Sequence, residues 1–436
     1  MQRKANFEEI QVVEVTENNF KSVWPYLLES LKNADVIALD MELSGLGSQK
    51  LLMSKNIEDR YEVIRQAALS RSVLSVGLAF FKIEKKDEEK RRIKLRSQVF
   101  NILTLCSQPF TIEPDALAFL SKHNFDFNLL FSSGVSYNPS TLFKSCYLRV
   151  LFNEIFCSSL PICLHNGLID LIFLYQHFYC ELPPKFSQFV NALSDLFPSD
   201  SPIVDSKYLA EYKTRMKSSF LEYIFRKCQG DNVRESISNK WHNIDWLCLG
   251  LPEGIEQSIE HLNCSLPSNF PSHTVPIDLN EAICPQFTNH GFCKKNGCDK
   301  MHDVDFALDL ENERQEKERK RKRKRYDHLD PAPKKSEESP RSALRLSIAD
   351  LKDKPRLRVS GCHRAGIDAF MTGFSAIFQC RMDICREGKF SENDCNKIPL
   401  SGKEIPLLIQ MSTFGGSCEK HSDKFFVISN QRKKKE

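Results

Sequence analysis

Three apolar segments, far apart in the chain, each carry an acid where an apolar element would bury it. "LDMEL" holds Asp40 and Glu42, "HNGLIDL" holds Asp170, and "HRAGIDAF" holds Asp368. The first reads as a strand, so Asp40 and Glu42, two apart, share one face. Burying two carboxylates is costly unless a cation or strong donors meet them. Hard oxygen donors suit Mg²⁺ or Mn²⁺. A strand end where both acids reach water is the alternative. Asp170 reads as part of an apolar helix, where it needs a partner unless it is partly exposed. Asp368 falls five residues after His363, at a loop-to-helix junction. An imidazole titrates near working pH, so His363 suits taking a proton from water.

The third segment follows what looks like a tail. From Leu310 to about Lys354 the chain is charged and poor in aromatics; its start could form an exposed helix, and its end reads as disordered. Within it Arg319, Lys320, Arg321, Lys322, Arg323, Lys324 and Arg325 are consecutive. The net charge is +4, so without these seven the chain would stand at −3. Positive charge this concentrated reads as a nuclear-import signal or a nucleic-acid contact.

Elsewhere the pattern alternates between strands and helices. "IQVVEVT", "DVIALDMEL", "SVLSVGLAFFKI" and "SQVFNILTL" read as strands, and the chain from Glu113 to Tyr179 is largely helical. "SPIVDSKYLAEY" reads as strand then helix, and "KFFVISN" as a last strand. Together they predict an α/β fold around a mixed sheet flanked by helices. No run approaches the ~18 apolar residues of a membrane span, and the N-terminus lacks a signal-peptide core. A soluble protein with no membrane partner is expected. Sixteen cysteines then read as buried thiols and metal ligands. Cys106, Cys146, Cys157, Cys180 and Cys228 read as small core side chains.

One cysteine group has ligand spacing. Cys284, Cys293, Cys298 and His302 follow C-x8-C-x4-C-x3-H. Three thiolates and one imidazole make a closed, structural zinc site, and so short a segment would draw its folding free energy from the metal. The spacing resembles the CCCH family of RNA-binding fingers. Phe287 and Phe292 would then stack on bases, with Lys294 and Lys295 on phosphates. A clip or protein contact is the alternative. A second group, Cys380, Cys385, Cys395, Cys418 and His421, fits no zinc spacing.

The acids, taken in order, resemble the DEDD exonuclease superfamily in its histidine-bearing subclass, and within it the poly(A)-specific ribonuclease family of deadenylases. "ALDMELSGL", "DRYEVIRQAALSRSVLSVGLAFF", "PICLHNGLIDL" and "SPIVDSKYLAEY" are of that family's type. The branch with a CCCH finger, a basic run and a late "HRAG-DAFMTGF" matches the order here. The resemblance implies a ribonuclease-H-like fold and 3′→5′ hydrolysis of RNA to 5′-nucleotides. It assigns Asp40, Glu42, Asp170 and Asp368 to two Mg²⁺ ions, with Mn²⁺ as a substitute, and His363 to the general base. It implies single-stranded RNA 3′ ends as partners, poly(A) or small nuclear RNA tails, and self-association into a homo-oligomer. The nucleus is the implied location, with Cajal bodies, nucleolus or speckles as sites. The expected organisation is a nuclease domain over 7–270 and 355–430, interrupted by a zinc finger at 280–305 and a disordered basic linker at 310–354. An RNA-binding adaptor with an inactive nuclease fold is the second reading.

Overall fold

The computed structural model describes residues 9–47, 52–87, 92–139, 146–238, 242–248, 259–266, 283–295, 297–327, 364–412 and 415–435. In chain order, β1 (Glu9–Val15) leads to α1 (Phe20–Asn33) and β2 (Val36–Leu43). Helix α2 (Ile57–Ser70) precedes the long strands β3 (Val73–Asp87) and β4 (Arg92–Cys106). Then come α3 (Pro114–Lys122), α4 (Phe127–Ser133), β5 (Val135–Tyr137) and α5 (Tyr147–Cys157). Strand β6 (Ile162–Leu164), α6 (Leu168–Leu174), α7 (Phe186–Leu196) and β7 (Ile203–Asp205) complete the central unit.

The sheet runs β7-β6-β2-β3-β4-β1, with β9 (Leu262–Ser265) beyond β1 and β8 (Asn243–Cys248) beside β4. It is mixed: β2–β3–β4 are antiparallel, while β1 joins β4, and β6 joins β2, in parallel. The α/β mixed sheet expected from the pattern is therefore present.

Alternation along β2 sorts the core into two faces. Ile37, Leu39, Met41 and Leu43 enter one hydrophobic cluster with α1, α2, α5 and α6. Val36 and Ala38 enter another, with α9 (Leu221–Ser238) and α12 (Ala365–Gln379). Asp40 and Glu42 continue that second row. Every residue of α12 is buried, so the segment that follows the basic run is central to the fold.

Two glycines let α12 lie this close. A Cβ at Gly373 would meet the Phe81 ring at 2.2 Å and Ala38 Cβ at 2.9 Å; one at Gly77 would meet the Ala365 carbonyl oxygen at 1.9 Å.

Two expectations are refined or corrected. The start of the basic stretch is helical, as its exposed-helix reading allows: α11 (Val304–Asp327) runs through Arg325, so a disordered linker does not begin at residue 310. Lys, Arg, Glu and Gln are good helix formers, and no Gly or Pro interrupts them. Residues 328–354 lie outside the described residues. The predicted last strand, "KFFVISN", is helical, within α14 (Glu419–Lys435). His421, Phe425 and Ile428 recur at helical spacing and pack inward. Among the described residues, no helix is long and apolar enough to cross a membrane.

Candidate active site

The site is built on one row across four strands. Asp40 of β2 pairs with Gly77 of β3, Gly77 with Asn101 of β4, and Asn101 with Glu14 of β1. Residues so paired point to the same face. The N-terminus of α12 lies along this row. Arg364 forms an ion pair with Glu14, the Gly366 N–H donates to Asn101 Oδ1 at 3.1 Å, and Ala365 fills the space left by Gly77. One turn further on, Asp368 arrives beside Asp40. Carboxylate oxygens of Asp40, Glu42 and Asp368 lie within 4.8 Å of one another.

Asn101 fixes the junction. Only 2% exposed, it donates to Glu14 Oε1 at 2.7 Å and accepts from Ser75 Oγ at 3.2 Å. A buried amide with all of these partners has one orientation.

Asp170 comes from the other side. Strand β6 pairs with β2 only at Ile37 and Ala38, then turns through Asn166, whose φ is +56°, into α6. The buried Asp205 carboxylate at the end of β7 holds this turn. It accepts the Gly167 N–H at 2.9 Å, and the Lys207 and Tyr208 N–H groups at 2.9 and 3.0 Å.

The electrostatics follow from crowding. Burial, then repulsion from Asp368, Asp170 and Glu42, holds the Asp40 carboxyl well above the usual carboxylate range. Burial also pushes Asp170 up to about 7, against the Met41 N–H and its own backbone, and Asp205 up to about 6. A crowded acidic cluster in which Asp40 and Asp170 are pushed toward the neutral form suits a site completed by cations: the donor set is all carboxylate, which fits Mg²⁺ or Mn²⁺.

A pH dependence follows. A carboxyl with its folded pKa above its unfolded value favours the folded state at low pH and loses that contribution as pH rises through the folded pKa. For Asp170 the window runs from 3.8 to about 7. In EDTA, Asp170→Asn therefore raises the melting temperature at pH 7.5 and has little effect at pH 4. The opposite order in thermal scans would overturn this account.

His363 lies outside the described residues; its neighbour Arg364 is held by Glu14.

The group with ligand spacing is separate from the acids. Ligand atoms of Cys284, Cys293, Cys298 and His302 lie within 4.8 Å of one another. The Phe287 N–H, aided by Cys293 and His302, pulls the Cys284 thiol down to about 6, despite desolvation. Helix α10 (Pro285–His290) ends at Gly291, with φ +79°. Phe287 stacks on His302, 5.0 Å between rings, and meets Phe220 at 6.1 Å. Phe292 is 54% exposed. Lys294 and Lys295 are exposed, Lys295 pairing with Asp299 at 3.2 Å.

Of the remaining cysteines, Cys106, Cys146, Cys157, Cys180 and Cys228 are buried free thiols. Cys380, Asp383 and Asp394 also converge, but Lys213 supplies the cation there, 3.6 Å from Cys380 Sγ and 2.5 Å from Asp383, with Asp394 as a second ion-pair partner. His421 instead bonds Tyr179 and Asp195.

Sequence reasoning missed Glu14, Gly77, Asn101, Asp205 and Arg364. Two had signals: a glycine inside the apolar strand "SVGLAFF" marks a close approach, and the acid of "IVDSK" stands at an N-cap position.

A family model described as CAF1 family ribonuclease matches residues 15–146 and 140–376. Poly(A)-specific ribonuclease PARN of Danio rerio is 25% identical over 150 residues, 33% of this chain and 22% of the relative. The 3′-5′ exoribonuclease parn-1 of Caenorhabditis elegans is 26% identical over 134 residues, 30% of this chain and 23% of that one. The chain thus spans less than a quarter of either relative's length in these matches. The solved structure of Schizosaccharomyces pombe Pop2p, in a Mg²⁺- and Mn²⁺-bound form, aligns over 50% of this chain and 82% of its own, at 17% identity and a TM-score of 0.39. With the family model covering most of its length, this chain belongs to the CAF1 family of ribonucleases.

Proposed function

We propose that the protein is a divalent-metal-dependent 3′→5′ exoribonuclease that trims or deadenylates RNA tails. The observation that carries this reading is the cross-sheet row that delivers Asp368 to Asp40 and Glu42, with Asp170 entering from β6. Asp40, Glu42, Asp170 and Asp368 would hold two Mg²⁺ or Mn²⁺ ions, which when bound activate water and stabilise the leaving oxygen. His363, one residue before the anchored Arg364, takes the proton of that water. The fold reads as ribonuclease-H-like.

The Cys284–Cys293–Cys298–His302 cluster is read as a structural zinc site. On its surface Phe292, with Lys294 and Lys295, offers a stacking ring and two cations to single-stranded RNA; Phe287 is committed to His302 and Phe220. Small nuclear RNA tails in the nucleus, import by the Arg319–Arg325 run, and self-association complete the reading.

The test is a time course on 5′-labelled RNA ending in A20 or in mixed sequence, with Mg²⁺, with EDTA, and with His363→Ala. A ladder shortening from the 3′ end, lost with EDTA and reduced ~10²–10⁴-fold in the variant, is expected. Faster loss of A20 marks a deadenylase. RNA binding without shortening under Mg²⁺ or Mn²⁺ would establish the adaptor reading instead.

A further inference from the structure

Helix α9 has two faces, each with a different load. Phe225 packs on Phe370 and Phe374 of α12, with ring centroids 6.2 and 5.7 Å apart. At about 100° per residue, Phe220, Tyr223 and Lys227 point away from Phe225, and Arg226 to the side. These carry the cysteine–histidine module and α11. Arg226 grips Asp305 through two bonds of 2.8 and 2.7 Å, with both side chains largely buried. The Tyr223 hydroxyl donates to Glu311, and Lys227 pairs with Glu311 at 3.3 Å. Ser218 Oγ donates to the Thr288 carbonyl at 2.5 Å. Val304 and Leu308 close the contact against Tyr223.

Helix α11 therefore starts two residues after His302, is anchored through Glu311, and continues for sixteen more residues to Asp327. Arg314, Lys317, Lys320 and Arg321 on that extension are exposed. The seven basic residues Arg319–Arg325 occupy about two turns of this helix. A helix of this kind has no apolar stripe with which to pack on a protein. Its neighbouring cations repel one another, and a polyanion relieves that repulsion.

We infer that α11 is a fixed cationic arm that holds the phosphate backbone of single-stranded RNA upstream of the 3′ end seated at the acidic row, so that the enzyme favours RNA long enough to reach both. The inference rests on the exoribonuclease reading. Two helix-packing distances, about 16–20 Å, separate α11 from α12 across α9, so a very short oligonucleotide in the cleft ends short of the arm.

The test uses the full chain and compares kcat/KM on A4 and A20. With Arg319 to Arg325 all replaced by Gln, the A20-to-A4 ratio should fall about tenfold or more, and the salt dependence on A20 should become shallower by about 0.7 for each phosphate the arm no longer neutralises. Glu313→Pro breaks the helix beyond its anchor and keeps every basic residue, and it should lower the ratio as well. Equal losses on A4 and A20, or an unchanged ratio in either variant, would overturn the inference. Import-receptor binding lost with A20 affinity intact would do the same. If the unaltered chain cuts neither RNA, the nuclease reading fails instead. Fluorescence anisotropy on A20 then decides the arm alone: about tenfold weaker binding in the Gln variant supports it, and equal binding overturns it.

Discussion

Gly77→Ala should cost at least ~10²-fold in cleavage rate, although the residue carries no functional group. A Cβ at this position would lie 1.9 Å from the Ala365 carbonyl oxygen, 2.0 Å from its carbon and 2.4 Å from the Gly366 nitrogen. All three are backbone atoms, so no side chain can rotate out of the way. Retreat of α12 is opposed at Asn101, by the Gly366 N–H bond, and at Glu14, by Arg364. Further along the helix Gly373 is locked under Phe81. The strain must displace the N-terminus of α12 and, one turn later, Asp368. A misplacement of about 1 Å in a positioned group is enough for a loss of ~10²-fold. Overpacking of this kind also destabilises by about 1–3 kcal/mol. Gly230→Ala is the control. It lies within α9 with open space around it, and alanine there should be neutral or stabilising by up to ~1 kcal/mol. Single-turnover rates and urea melts of both variants check the pair. Full activity in Gly77→Ala would show that Asp368 is not held by this close approach.

The difference between Gly77 and Asp40 is also the difference between what the chain discloses and what it conceals. Asp40, Glu42, Asp170 and Asp368 are legible because a charge inside an apolar segment is a local contradiction that needs a partner. The Cys284–Cys293–Cys298–His302 cluster is legible because its spacing is short-range. Glu14, Asn101 and Arg364 look ordinary in sequence. Their meaning comes from strand register, which pairs residues 87 positions apart in the case of Asn101 and Glu14, and from a helix entering the sheet after a long detour. Asp205 was concealed for a related reason: it acts on the Gly167 turn, 38 residues earlier. The misread "KFFVISN" shows the limit of short apolar runs. Phe425 and Val427, two apart, would share one face of a strand, yet Phe425 packs on His421 while Val427 is 53% exposed and Ile428 is buried, a helical division that alternation does not produce. In the basic stretch composition left an exposed helix and disorder both open, and the anchor at Asp305 and Glu311 supplies the start from which a strongly helix-forming sequence propagates.

Asp40→Asn separates chemistry from architecture most sharply. The amide is nearly isosteric, and the neighbours of β2 are unchanged: Gly77 on one side and the β6 edge on the other. What is lost is the central charge of the cluster, the carboxylate on which Asp368, Asp170 and Glu42 all act. A neutral oxygen at this position would bind a divalent ion far more weakly, and the acidic cluster is left with one fewer anionic donor. Cleavage should fall by at least ~10³-fold, or about 4 kcal/mol of lost transition-state stabilisation. Stability should move the other way. Removing one of four mutually repelling carboxylates relieves the metal-free protein, so its melting temperature in EDTA should equal or exceed that of the unaltered chain, and the rise on adding Mg²⁺ should shrink. RNA affinity should be largely retained, because the surfaces proposed to meet base and phosphate outside the acidic row are untouched. Activity, melting temperature with and without Mg²⁺, and RNA anisotropy on the same preparation give three readouts with three different signs. A variant that loses activity only because it unfolds would lower the melting temperature in EDTA, and one that cleaves at the normal rate would remove Asp40 from the metal-binding set.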